Sequence, residues 1–124
     1  MAAHNDTGRR GEDLAAELLS AKGYNVLDRN YRFENAEVDL VALRLEPAEL
    51  VFVEVKTRTT PSGHYPEESV TPAKQQLIFK AADCYLYEKR LFTVPVRFDI
   101  IAVHLHDPAE PVFHHIEDAF RMTR

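Results

Sequence analysis

A single cysteine, Cys84, stands in 124 residues. No internal disulfide can form, and the residue's place on an expected helix reads as a small apolar side chain in a reducing compartment. No apolar run approaches the ~20 residues that a membrane helix needs. The first residues, MAAHNDTGRR, hold no hydrophobic signal core, so the expected location is cytoplasmic, with no membrane partner. Repeats and low-complexity segments are missing as well. So is an excess of positive charge: 15 lysines and arginines face 20 aspartates and glutamates, a net charge of −5. Tight binding of nucleic acid through overall phosphate neutralisation is thereby excluded. Any such role needs a local basic face, or divalent cations to offset the acids.

What is present suits one domain, residues 1–124, with 45% hydrophobic and 28% charged residues. Asp6 or Thr7 is expected to cap a helix from about Arg9 to Lys22, stopped by Gly23, with Leu14, Ala15, Leu18, Leu19 and Ala21 on its apolar side. YNVLDRNYRF, EVDLVALR and LVFVEVKTR read as three strands, the last two joined by a proline-bearing turn. A loop of about a dozen residues follows, TTPSGHYPEESV, long enough to be mobile or functional. Thr71–Pro72 opens a second helix with an N-cap threonine and a proline in first position. Its buried face should carry Leu77, Ile78, Ala81, Ala82 and Tyr85. VPVRFDIIAVHLH is a further strand, and EPVFHHIEDAF reads as a short strand and a helical turn. The expected class is α/β: a single mixed sheet of four to five strands flanked by helices, in the order αβββαββ, its first three strands an antiparallel meander.

The third strand places two charges, Glu54 and Lys56, among valines. Alternation puts Phe52, Glu54 and Lys56 on one face and Val51, Val53 and Val55 on the other. In the second strand Glu37, Asp39 and Val41 share a face, and Val38, Leu40 and Ala42 take the opposite one. One hairpin register keeps the apolar faces together: Leu43 pairs with Leu50 and Arg44 with Glu49, around the four-residue loop from Leu45 to Ala48. Asp39 then opposes Glu54 at ~5 Å between Cβ atoms, and Glu37 opposes Lys56. Two carboxylates that close repel, and one is pushed towards protonation. A divalent cation resolves the conflict, since Mg²⁺ is typically held by one or two carboxylates with waters and phosphate oxygens. Lys56 beside it can orient a water or stabilise charge on a phosphate. The other reading of the same residues is a solvated sheet face with a Glu37–Lys56 ion pair.

AEVDLVAL followed by LVFVEVKTR resembles the Asp…Glu-x-Lys signature of the PD-(D/E)XK, or restriction-endonuclease-like, nucleases, which include Holliday-junction resolvases. From GRRGEDLAAELLSAKGYNVLDRNYR through ESVTPAKQQ and RFDIIAV to HHIEDAF, nearly the whole chain resembles the YraN-like family of small, resolvase-like bacterial proteins. The resemblance implies a restriction-endonuclease-like core and a metal-dependent nuclease acting on DNA, at branched or junction structures. Asp39 and Glu54 match the metal-binding acids, with Mg²⁺ or Mn²⁺ as cofactor and the carbonyl of Val55 as a further ligand. Lys56 matches the signature lysine. Glu12, whose plain reading is an acid complementing a helix N-terminus, matches an additional glutamate of resolvase-like members. Glu37 matches the glutamate before the motif aspartate. Lys74 and Gln75 match polar residues near an auxiliary active-site position at the start of the second helix. Resolvase-like relatives pair on symmetric junctions, so a homodimer is an expectation. Where the family usually has Gly-Glu before the motif, this chain has Ala36–Glu37, which leaves the acids intact and alters the local backbone.

Other residues invite separate readings. His104 and His106 alternate on one strand and His114 and His115 are adjacent, a pattern that either binds zinc or leaves exposed histidines at strand ends. Arg97 and Asp99 share a strand face, where a structural salt bridge competes with a catalytic role. His64 and Tyr65 in the long loop could stack on a nucleic acid. Arg9, Arg10, Arg29, Arg32, Arg58, Lys74 and Lys80 could form a basic rim near the acids. A non-catalytic nucleic-acid- or protein-binding module on the same fold is the alternative function, and RNA is not excluded as the substrate.

Overall fold

The computed structural model describes residues 3–61 and 65–122, and of residues 3–5 only the backbone. Its order is α1 (Ala3–Ala21), β1 (Asn25–Phe33), β2 (Ala36–Arg44), β3 (Glu49–Arg58), a short 3-10 turn (Pro66–Ser69), α2 (Pro72–Lys89), β4 (Val96–His104) and β5 (Val112–Phe120). The five strands form one sheet in sequence order. β1, β2 and β3 are antiparallel neighbours. β3 and β4 run parallel, and β5 returns antiparallel to β4. A parallel pair needs a crossover, which α2 supplies. This is the αβββαββ architecture that the sequence implied. No helix among the described residues is long and apolar enough to cross a membrane.

The helices lie on opposite faces. Ala15 and Leu19 of α1 are buried against Leu40, Ala42, Val51, Val53, Ile101 and Val103. Ile78, Phe79, Ala82 and Tyr85 of α2 are buried against Val41, Phe52, Phe98 and Ile100. Alternation along β3 therefore sorts its side chains as expected: Leu50 and Phe52 towards α2, Val51 and Val53 towards α1. Gly11 begins the inner row of α1, and its missing side chain has a direct reason. A Cβ there would stand 1.9 Å from Oγ1 of Thr57 on β3. The helix can approach the end of that strand only at a glycine.

Several local expectations are corrected. α1 starts at Ala3, so Asp6 and Thr7 lie within the helix rather than capping it at Arg9. Ala21 is exposed, because the rows that face the sheet run through Gly11, Ala15 and Leu19. Gly23 does end the helix, at φ 90°, with Tyr24 N–H donating back to Leu19 O. Leu77 is only partly buried against the α2 cluster, while Phe79 is buried within it. The chain from Val112 to Phe120 is one strand, without a helical turn. Asp118 takes φ 54° there, and its N–H donates to the buried carboxylate of Asp99 at 3.0 Å. That bond draws the backbone into an irregularity and keeps it in the sheet.

The hairpin register is the expected one, with Leu43 opposite Leu50 and Arg44 opposite Glu49. The paired residues run only as far as Leu40 and Val53. At that point the alternation of β2 also breaks: Val38 packs on the α2 side and Leu40 on the α1 side. The expected common face for Val38, Leu40 and Ala42 is thus corrected. The residue at the break is Asp39.

Candidate active site: a carboxylate and lysine cleft

The break has a chemical cause. Where strand pairing would continue, the Asp39 carboxylate instead accepts the backbone N–H of Val55, Oδ2 to N 2.7 Å. A side chain thereby takes over one ladder bond, and β2 and β3 open a cleft at the C-terminal half of β3. Its volume is about 530 Å³, and Glu12, Asp39, Glu54, Val55, Lys56, Arg58 and Lys74 are among the residues that line it. An adjoining hollow of about 280 Å³ shares Asp39, Glu54 and Lys74 and adds Arg32 and Glu37. Four elements meet here: α1 brings Glu12, β2 Asp39, β3 Glu54 and Lys56, and the first turn of α2 Lys74.

Glu54 is 5% exposed, and one of its oxygens carries two ammonium groups. Oε2 lies 2.8 Å from Lys74 Nζ and 3.2 Å from Lys56 Nζ. The expected Glu37–Lys56 pair does not form: Glu37 pairs with Arg32 at 3.1 Å, and Lys56 turns to its own strand neighbour. Burial, and then the charge of Glu54, push the Asp39 carboxyl up to about 8, against the bond from Val55 N–H. Burial also raises Glu12, although Asn30 hydrogen-bonds to it and Arg29 lies near. Lys56 is lowered, chiefly by burial, which outweighs the attraction of Glu54. Burial opposes the Lys74 ammonium too, but the bond to Glu54 prevails and holds it above its ordinary range. The cleft therefore combines carboxyls that resist ionisation with an ammonium that is unusually ready to lose its proton.

The oxygen donors suit a hard divalent cation in kind and number: three carboxylates and the Val55 carbonyl. As the side chains stand they are not assembled around one point. Among the described residues no group of three His, Cys, Asp or Glu is arranged to hold a metal ion. Glu54 is turned to the lysines, so uptake of a cation would need those contacts to rearrange, whereas the bond from Val55 N–H engages only Oδ2 of Asp39.

The other expected site residues divide. Arg58 lines the cleft and donates to Ser69 Oγ at 3.2 Å, tying the strand end to the loop. Gln75 adjoins Lys74 in sequence, but its amide donates to Val70 O at 3.1 Å rather than lining the cleft. Arg9 is exposed, and Arg10 donates to Pro108 O at 2.9 Å. Arg29 is held by Asp13 at 2.6 Å and Lys80 by Glu34 at 2.7 Å. Of the expected basic rim, the cleft itself thus keeps Arg58 and Lys74, where they join Lys56, and the adjoining hollow keeps Arg32, paired with Glu37. His64 lies outside the described residues, and Tyr65 is exposed.

Arg97 and Asp99 form the structural salt bridge. Arg97 Nε donates to Asp99 Oδ1 at 2.9 Å, and Nη2 to Oδ2 at 2.8 Å. His115 adds a contact to Oδ2 at 2.7 Å and Tyr24 OH takes a further bond from Arg97 at 2.6 Å. His114 and His115 therefore part: the ring of His114 meets His104, which also meets His106. A hollow of about 470 Å³ beside Arg97 is lined by Leu86, Phe98 and Phe120. Arg97 pairs there with Glu49 and Arg121 with Asp118, so the hollow offers less chemistry than the cleft. Gly11, Asn30 and Thr57 are parts of the cleft's support that sequence reasoning missed. Only Gly11 carried a signal, as a glycine inside a helical run.

By fold and site this is a small α/β domain with a carboxylate and lysine cleft between its central strands. The chain belongs to uncharacterised protein family UPF0102, whose model matches residues 11–103, in keeping with the YraN-like resemblance. It is 45% identical to a UPF0102 protein of Christiangramia forsetii over 120 residues, 97% of this chain and 98% of that one. A UPF0102 protein of Geobacter sulfurreducens is 46% identical over 116 residues, 94% of this chain and 89% of the relative. One from Clostridium perfringens is 40% identical over 116 residues, 93% of both chains.

Proposed function

We propose that this protein is a metal-dependent endonuclease that hydrolyses DNA phosphodiester bonds, at branched or junction structures. The observation that carries the reading is the convergence of Glu12, Asp39, Glu54 and Lys56, from three separate elements, on one cleft. Asp39, Glu54 and Glu12, with the carbonyl of Val55, are the groups that would hold Mg²⁺ or Mn²⁺. A bound divalent cation supplies Lewis acidity and charge neutralisation at a phosphodiester. The rest falls to the chain. Lys56, partly buried and with a lowered proton affinity, is suited to orient an attacking water or to meet charge that develops on phosphate oxygens. Lys74 and Arg58 offer cations at the rim for the flanking phosphates. Asp39 fixes the opening between the strands through Val55 N–H.

A second reading is a binding module on the same scaffold. The net charge of −5 and the ion pairs of Glu54 favour it. Labelled single-stranded, duplex, flap and four-way-junction DNA, and single-stranded RNA, incubated with Mg²⁺, Mn²⁺ or EDTA beside Lys56→Ala and Glu54→Ala, separates the two. Metal-dependent cleavage lost in both variants supports the endonuclease and identifies its substrate. Binding of DNA without cleavage, unchanged in either variant, supports the module. Sedimentation with and without the junction reads whether two copies pair on it.

A further inference from the structure

We infer that Lys74 is an internal counter-ion that stands in a cation's place at Glu54, and that it exchanges this carboxylate for a nucleic-acid phosphate when a divalent cation enters. The inference rests on the metal reading above and adds a step to it. Lys74 Nζ makes the shorter of the two ammonium contacts to Glu54 Oε2, 2.8 Å against 3.2 Å for Lys56. One buried carboxylate oxygen thus carries two unit positive charges, the number that a single divalent cation would bring. Both cannot remain when the cation arrives, because like charges a few ångströms apart repel strongly in a half-buried site. Lys56 is the less free to leave: its side chain is 16% exposed, against 42% for Lys74, and it stands within the paired length of β3 and β4.

The position of Lys74 on its own helix points the same way. It is the third residue of α2, where its N–H donates to the Thr71 cap at 3.3 Å. A cation in a first turn is disfavoured by the helix dipole, so the attraction that places it there is Glu54. Once Glu54 is engaged elsewhere, the ammonium stands at a helix N-terminus beside the cleft, a setting that favours an anionic oxygen. The charge is then reused rather than lost. The exchange also accounts for the turn of Glu54 towards the two lysines.

The test is calorimetric titration of Mn²⁺ alone into the full chain, as wild type, Lys74→Gln and Lys74→Arg, with Glu54→Gln to identify the site. Removing the competing charge should tighten Mn²⁺ binding about two- to tenfold in Lys74→Gln, while Lys74→Arg stays near wild type and Glu54→Gln loses the heat. Four-way-junction binding in Ca²⁺ should weaken in Lys74→Gln, with its salt slope reduced by about one phosphate contact. Circular dichroism verifies that each variant is folded. Mn²⁺ binding in Lys74→Gln that is equal to or weaker than wild type overturns the exchange and leaves the metal reading intact. No Mn²⁺ uptake by any of the folded proteins overturns both.

Discussion

Asp39→Asn should make the cation-free protein more stable, although it removes a residue at the centre of the site. Asparagine keeps an acceptor oxygen for Val55 N–H, so the 2.7 Å bond that replaces the strand ladder can persist. What disappears is an ionisable group. The Asp39 carboxyl rises from an ordinary 3.8 to about 8 through burial and the neighbouring Glu54. A carboxyl raised on folding opposes the native state wherever the unfolded chain is ionised. Its penalty is nil below about pH 4, grows as pH rises, and levels off above about pH 8. Each pH unit in that window is worth ~1.4 kcal/mol at most. At pH 7 this sets a ceiling of about 4 kcal/mol, and sharing the strain with Glu54 makes about 2 kcal/mol the expected gain. For a domain of this size that corresponds to a rise in Tm of roughly 6–10 °C. Melting curves in EDTA from pH 4 to pH 9 read it directly: wild type should lose stability through the window, and Asp39→Asn should lose less. Adding Mn²⁺ should raise the wild-type Tm, since a ligand of the native state stabilises it, and leave the variant unmoved. A variant that melts below wild type at pH 8 in EDTA, with the pH profile unchanged, would refute the charge-conflict account.

Three further outcomes follow from the scaffold. Gly11→Ala forces a methyl to 1.9 Å from Thr57 Oγ1 and should cost about 1–3 kcal/mol in urea unfolding; adding Thr57→Ala should recover part of that loss, and strict additivity of the two would argue against the contact. Asp99→Ala leaves Arg97, buried at 7% exposure, without its bidentate partner, and should destabilise by about 3–5 kcal/mol. Burial works against the Asp99 carboxylate, but His115, Arg97 and the Asp118 N–H hold it below its ordinary 3.8. Its contribution is therefore complete above about pH 4 and lost as pH falls through the lowered value, so acid unfolding should begin at higher pH in Asp99→Asn than in wild type.

Much of the cleft was legible because its two strands are close in sequence. A four-residue turn and two apolar faces that must coincide admit few registers, and the expected pairing of Leu43 with Leu50 is the one observed. The same logic misjudged the end of the ladder. Period-two alternation assumes unbroken backbone bonds, and at Asp39 a side chain replaces one. Val38 and Leu40 then fall on opposite faces, which no reading of the local pattern would show. The end of β5 failed for a similar reason: IEDAF has the composition of a helical turn, but Asp118 N–H is claimed by Asp99, nineteen residues away.

Sequence by itself determined the αβββαββ order, the two-faced sheet, the hairpin register and the membership of Asp39, Glu54 and Lys56 in one constellation. Those properties follow from apolar periodicity, caps and short connections, all of which act over a few residues. Tertiary structure alone decided which charges meet. Lys74 reaches Glu54 because the crossover helix begins beside the end of β3. Glu12 comes to the cleft because Gly11 lets α1 lie against Thr57. Arg97 and Asp99 of β4 join His115 of β5 and Tyr24 of the turn between α1 and β1. Burial then does what composition could not reveal: it raises the carboxyls of Asp39 and Glu12, lowers the Lys56 ammonium and converts charges spread along an acidic chain into a site with unequal proton affinities.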